Sequence, residues 1–133
     1  MAGEPILIVD DNLINLKLVR VLLLTEGYEV RTATDAEEAL AVLADGFSPR
    51  LILMDLQLPG MDGLELTRRL KADPATRNII ILALTAYAMK GDEQKALAAG
   101  CDGYIPKPID TRTLPGVVAS YLSGTHRALG SDP

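Results

Sequence analysis

The chain alternates short, wholly apolar runs with longer stretches in which apolar residues recur every three or four positions. Ile6-Leu7-Ile8-Val9 is the first run, and Asp10-Asp11-Asn12 ends it. Leu51-Ile52-Leu53-Met54 ends at Asp55, and Ile79 to Leu84 ends at Thr85. Runs this short, apolar on both alternations, predict strands covered on both faces, as in a parallel sheet. Two weaker strands fit Glu29–Thr32 and Gly103–Ile105. Ile14, Leu18, Val21 and Leu22 recur at helical spacing and predict the core face of a first helix, with Gly27 beyond its end. Thr34-x-x-Glu37 and Asp62-x-x-Glu65 read as capping boxes for a second and a third helix, which run to about Asp45-Gly46 and Asp73. A fourth helix is predicted over Met89–Ala99, stopped by Gly100. A fifth covers roughly Arg112–Leu122; Pro115 blurs its start, since it fits a first turn but would kink an interior.

Strand and helix thus alternate five times. That order predicts an α/β fold: a doubly wound, five-stranded parallel sheet with helices on both faces, a three-layer α/β/α domain. One domain is expected over residues 1–123, followed by a polar tail, 124–133, in which His126 reads as a surface histidine. Hydrophobic residues at 48% and charged residues at 23% argue against disorder. Lys+Arg 13 against Asp+Glu 18 gives a net charge of −5, which argues against a nucleic-acid partner. There is no Trp and only one Phe, so platforms for base stacking are missing too. The single cysteine, Cys101, has no partner for an internal disulfide, which suggests a reducing compartment. No run approaches the ~18 apolar residues of a membrane span, and Met1–Pro5 lacks the layout of a signal peptide. A cytoplasmic location is therefore expected.

The chemistry gathers where the strands end. Ligands of open parallel sheets bind beyond the carboxyl ends of the strands, at the switch point in strand order. With the known order 2-1-3-4-5, the first and third strands meet there and bring Asp10, Asp11 and Asp55 together. At about 5 Å and an effective dielectric near 20, each carboxylate pair repels by roughly 3 kcal/mol. Either one carboxylate keeps its proton or a cation neutralises the cluster. Oxygen ligands without nearby Cys or His favour Mg²⁺, with Mn²⁺ able to substitute. Thr85 and Lys107 add a hydroxyl and an ammonium, and together these are the parts for phosphoryl transfer. Taken singly, each residue also reads as an ordinary turn residue, cap or solvated cation. Only the set calls for a common site.

At these residues the sequence resembles the receiver domains of two-component response regulators. The stretches that carry the resemblance are Ile6 to Asn12, Leu51 to Gly63 (with Pro59-Gly60-Met61-Asp62-Gly63), Ala83 to Ala86 and Tyr104-Ile105-Pro106-Lys107-Pro108. Thr85 to Asp92 is similar to the small single-domain regulators of cell-cycle type; chemotaxis-type regulators are also of this kind. The resemblance implies the flavodoxin-like receiver fold and a phosphorelay function. Asp55 would be the phosphoacceptor. Asp11, Asp55 and the backbone carbonyl of Gln57 would ligate Mg²⁺, with Asp10 acting through water. Lys107 would pair first with Asp55 and then with the phosphoryl oxygens. Thr85 and Tyr104 would form the switch, and the Lys107–Pro108 bond would be cis. The donor would be a histidine kinase or a histidine phosphotransfer protein. The chain would catalyse only its own phosphorylation and dephosphorylation, without turning over external substrates.

Two positions are candidates for tuning the phosphoryl lifetime. Gln57 lies two residues after the acceptor, and Tyr87 two after Thr85. Tyr87 either shields the acyl phosphate from water or is a surface aromatic with no kinetic role. On the first helix, Leu16, Val19 and Leu23 form a second apolar stripe, read either as the surface that docks the donor or as packing under the fifth helix. With no output domain in the chain, a downstream protein effector is expected at the face formed by the fourth helix, fifth strand and fifth helix. The chain is expected to be a monomer or weak dimer, either stand-alone or excised from a hybrid kinase or multidomain regulator. Three rivals use similar parts. A haloacid-dehalogenase-like phosphatase needs a second Asp where this chain has Gln57. A pseudo-receiver binding module usually loses the acids or the Lys that are kept here. A nucleotide or flavin binder needs a glycine-rich phosphate motif that is absent.

Overall fold

The computed structural model describes residues 3–85 and 91–124. Five strands run parallel: β1 (Pro5–Val9), β2 (Glu29–Ala33), β3 (Leu51–Asp55), β4 (Ile80–Thr85) and β5 (Gly103–Pro106), in the order β2-β1-β3-β4-β5. Helices α1 (Leu13–Thr25), α2 (Ala36–Ala44), α3 (Gly63–Ala72), α4 (Asp92–Ala99) and α5 (Leu114–Ser123) alternate with them.

The apolar runs explain the layering. Alternate residues of one strand point to opposite faces. Leu7, Val9, Ile52, Met54, Ile81 and Ala83 pack beneath α2, α3 and α4 through Ala36, Ala39, Leu66, Leu70 and Ala96. Ile6, Ile8, Leu51, Leu53, Ile80, Leu82 and Leu84 pack beneath α1 and α5 through Leu16, Val19, Leu23, Leu114 and Val118. The predicted α/β/α sandwich is therefore the fold. Strand ends differ from the predicted bounds by one residue: β2 and β5 are longer, β3 takes in Asp55, and β4 runs Ile80–Thr85. Met89, the predicted start of the fourth helix, lies outside the described residues, as do Tyr87, His126 and the tail beyond Gly124.

Helix α1 corrects the sequence reading. Leu16, Val19 and Leu23, read as a docking stripe, are buried at 6%, 1% and 0% exposure and pack against the sheet. The residues read as the core face, Ile14, Leu18 and Val21, are 78%, 46% and 57% exposed. Leu22 alone of that set packs partly against the core. The segment Leu13–Thr25 is apolar nearly all round, so its periodicity supports two faces and selects neither. Packing of Leu16, Val19 and Leu23 on the sheet sets the rotation, and Asn12 caps the start of the helix by accepting the amides of Ile14 and Asn15, each at 3.0 Å.

The opening of α2 is a second correction. Asp35, not Thr34, is the cap and accepts the Glu38 amide at 2.8 Å. Glu38, not Glu37, reaches back to the Thr34 amide and hydroxyl. Either pairing satisfies the same spacing. The observed one turns Ala36 and Ala39 onto the sheet. The box at the start of α3 is as predicted, with the Asp62 carboxylate accepting the Glu65 amide at 2.8 Å. Helix α5 starts at Leu114, which puts Pro115 in its first turn rather than in its interior.

Candidate phosphoryl and metal site

Strands β1 and β3 lie side by side, with Val9 opposite Met54. Their carboxyl ends therefore deliver Asp10 and Asp55 to one edge of the sheet. Asp10, Asp11 and Asp55 each place a carboxylate oxygen within 4.8 Å of the others. Asp10 is 1% and Asp55 4% exposed, whereas Asp11 is exposed. Lys107 enters from the end of β5, with Nζ 3.1 Å from Asp55 Oδ2 and 3.6 Å from Asp10 Oδ2. Its own amide donates to the Thr85 carbonyl at 2.8 Å, which ties the end of β5 to the end of β4. The Lys107–Pro108 bond is cis.

Backbone donors aim the acids. Asp10 Oδ1 accepts the Asn12 amide at 2.9 Å, and Asp55 Oδ1 accepts the Gln57 amide at 3.0 Å. Asp10 Oδ2 is buried with no hydrogen-bond partner. The Lys107 ammonium stands 3.6 Å off, beyond hydrogen-bond reach, so a metal ion or water at this oxygen would satisfy it. Burial pushes the Asp55 carboxyl up from 3.8 to about 6; the Gln57 amide and Lys107 pull it down, and the Asp10 charge adds to the rise.

The donor set fits a hard divalent cation. It consists of three carboxylates, one exposed to solvent, with no His or Cys in the group, and it carries one orphaned buried oxygen. Asp10, Asp11, Asp55 and Lys107 are thus gathered as predicted. Thr85 closes β4 beside them and is 2% exposed. Tyr104 lies on β5 with 40% of its surface exposed, and Gln57 is exposed.

Two contributors escaped the sequence reading. Gly63, the first residue of α3, lies so close to β3 that a Cβ there would sit 2.3 Å from the Asp55 carbonyl oxygen. Asn12 serves both the site and α1, through its amide to Asp10 and its side chain to the helix. Both stand inside the quoted stretches, but spacing alone gives a glycine or asparagine no such role.

A buried acidic cluster with a lysine, beyond the carboxyl ends of a 2-1-3-4-5 sheet, defines a class of phosphoryl-accepting signalling domain. The chain belongs to the response regulator receiver domain family, whose profile matches residues 6–119. It is a receiver domain of two-component signalling. It is 46% identical over 119 residues to the polar-differentiation response regulator DivK of Brucella anthropi, covering 90% of this chain and 96% of that protein. The receiver domain of the sensor histidine kinase PA1611 from Pseudomonas aeruginosa, solved with magnesium in its active site cleft, is similar at TM-score 0.82 and 34% identity, over 92% of this chain and 99% of that one. The Ssk1 receiver domain, solved with the histidine phosphotransfer protein Ypd1 of Saccharomyces cerevisiae, matches at TM-score 0.75 and 31% identity, over 86% and 85%.

Proposed function

We propose that Asp55 accepts a phosphoryl group from a phosphohistidine of a histidine kinase or histidine phosphotransfer protein. The observation that carries this reading is the meeting of three carboxylates within 4.8 Å, with the Lys107 ammonium 3.1 Å from Asp55. An Asp55 oxygen attacks phosphorus. The P–N bond breaks, its electron pair goes to the ring nitrogen, and that nitrogen is protonated as the imidazole leaves. A carboxylate is a weak nucleophile, so positioning and charge neutralisation supply the rate. Asp11, Asp55 and the Gln57 carbonyl would hold Mg²⁺, or Mn²⁺ in its place, with Asp10 bound through water. When bound, the ion neutralises charge building on the phosphoryl oxygens. Lys107 passes from Asp55 to a phosphoryl oxygen. Thr85 donates its hydroxyl to another, and Tyr104 exchanges its half-exposed position for an inward one. The resulting change of surface is read by a downstream protein. The chain turns over nothing but its own phosphoryl group.

The donor's docking surface belongs on the outward face of α1. Five of the seven large apolar side chains exposed among the described residues lie there: Leu13, Ile14, Leu18, Val21 and Leu24. The helix begins two residues after Asp11, so a bundle seated on it brings its histidine toward Asp55. A receiver domain and a histidine phosphotransfer protein forming the Ypd1–Ssk1 complex supports this class of partner.

Intact mass after incubation with acetyl phosphate and Mg²⁺ tests the reading. One phosphoryl adduct is expected, absent in Asp55→Asn and in chelator. An adduct that persists in Asp55→Asn, or none in the wild type with either acetyl phosphate or a phosphorylated histidine donor, overturns it.

A further inference from the structure

Strand β5 is poorly equipped to fix its own register. It has four residues, lies at the edge of the sheet, starts with Gly103 and ends with Pro106. Tyr104 is 40% exposed, and Ile105 packs only partly against the core. Register in a sheet is set by the alternation of buried and exposed side chains, and here only Gly103, which has no side chain, and the partly buried Ile105 turn inward to supply it. Yet Lys107 follows β5 directly and must reach Asp55 at 3.1 Å. A slip of one residue would carry it about 3.3 Å along the strand, as far as the contact itself.

The register is held from the opposite end. Asp102, just before β5, engages both backbone groups of Ile81: its amide donates to the Ile81 carbonyl at 2.8 Å, and its Oδ2 accepts the Ile81 amide at 2.9 Å. The same Oδ2 accepts Lys71 Nζ at 3.0 Å. Lys71 Nζ also donates to the carbonyls of Arg77 at 3.1 Å and Ile79 at 2.7 Å, which uses all three donors of an ammonium. The Lys71 stem packs under the end of α4, where a Cβ on Gly100 would lie 2.8 Å from Lys71 Cγ. One side chain thus joins the end of α3, the approach to β4, the end of α4 and the approach to β5.

We propose that Lys71, acting through Asp102, is a positioning residue that fixes the β4–β5 register and so sets Lys107 against Asp55. Its kinetic consequence rests on Asp55 being the phosphoacceptor; its structural consequence does not.

Lys71→Met keeps the stem over Gly100 and removes the ammonium. Two measurements on it decide the proposal. Amide hydrogen exchange by NMR is expected to show the Lys107 amide, held by Thr85 in the wild type, losing at least about tenfold in protection, while Leu53 in β3 keeps its own. Phosphorylation by acetyl phosphate is expected to slow at least about tenfold, since a misplacement of about 1 Å can cost a hundredfold. In a Lys107→Ala background the same change is expected to cost less than about twofold more, because Lys71 acts through Lys107. Wild-type protection at Lys107, or rate losses that multiply in the double variant, overturns the proposal. If the wild type accepts no phosphoryl group, the proposed function falls and the exchange measurement alone judges Lys71. Should Lys71→Met fold poorly, Asp102→Asn carries both measurements, because it keeps an oxygen for the Ile81 amide and drops the ion pair.

Discussion

Replacing Asp55 by Asn should make the metal-free protein more stable, although it destroys the proposed acceptor. Carboxylate oxygens of Asp10 and Asp11 lie within 4.8 Å of one on Asp55. At an effective dielectric near 20, the buried Asp10 repels Asp55 by about 3.5 kcal/mol, while Asp11 is exposed and its share is screened by water. Lys107 at 3.1 Å returns about 5 kcal/mol on the same scale. The largest cost is the burial of the charge itself, and Asn, which still offers an oxygen to the Gln57 amide, removes it. The raised pKa sums these effects and gives the magnitude. From 3.8 to about 6 is a shift worth about 3 kcal/mol. The sign follows from where the proton sits. Below pH 4, folded and unfolded chains both hold it, and Asp55 costs nothing. Between about 4 and 6 the folded chain keeps a proton that the unfolded chain has released, so stability drains away as pH rises. Above 6 the deficit is constant. Urea unfolding of both proteins in chelator and low salt is the assay. The stability difference should be near zero at pH 4 and reach about 2–3 kcal/mol in favour of Asn at pH 7.5, or roughly 6–10 °C in Tm. Saturating Mg²⁺ should close the gap by stabilising the wild type. A variant no more stable than the wild type at pH 7.5 in chelator would refute the electrostatic account of the site.

Lys107→Met leaves two buried carboxylates facing each other, and in chelator at pH 7.5 it should lose about 3 kcal/mol by chemical denaturation. Gly63→Ala drives a methyl group into the Asp55 carbonyl, 2.3 Å away. It should cost about 1–3 kcal/mol and weaken Mg²⁺ binding, read by titration calorimetry. Leu23→Ala, at 0% exposure, should cost about 2–5 kcal/mol, whereas Val21→Ala, at 57% exposure, should stay within about 0.5 kcal/mol. Ile14→Glu should leave phosphorylation by acetyl phosphate unchanged and slow transfer from a phosphorylated histidine phosphotransfer protein; equal rates from the protein donor would remove the outward face of α1 from docking.

The three central strands were legible because they are buried on both sides, which writes each one as an uninterrupted apolar run, whereas the edge strands β2 and β5 left weaker marks. The polar residues that end the central runs stood out for the same reason, so Asp10, Asp11, Asp55 and Thr85 could be read directly. Helix α1 was misread because a helix apolar on most of its circumference has no phase. Its phase comes from packing against the sheet, a three-dimensional fact that periodicity does not carry. The Thr34–Asp35 ambiguity is of the same kind, since two adjacent capping residues face two adjacent glutamates. Lys71 and Gly63 were silent for another reason. Their roles depend on contacts with other elements, Gly63 with the end of β3 and Lys71 with Asp102, which periodicity does not encode.

Helix α1 divides its labour by side. The inward residues Leu16, Val19 and Leu23 anchor the fold, while Ile14, Leu18 and Val21 lie outside its core with about half or more of their surface exposed. The outward half is therefore free to drift in sequence without unfolding the chain. It works as an exchangeable address: copies of one gene could acquire different correspondents by changing a few outward letters, with the chemistry a few ångströms away left unrevised. Asn12, just ahead of that face, has no such freedom, because it aims Asp10 and caps the helix at once, and there drift should be slowest.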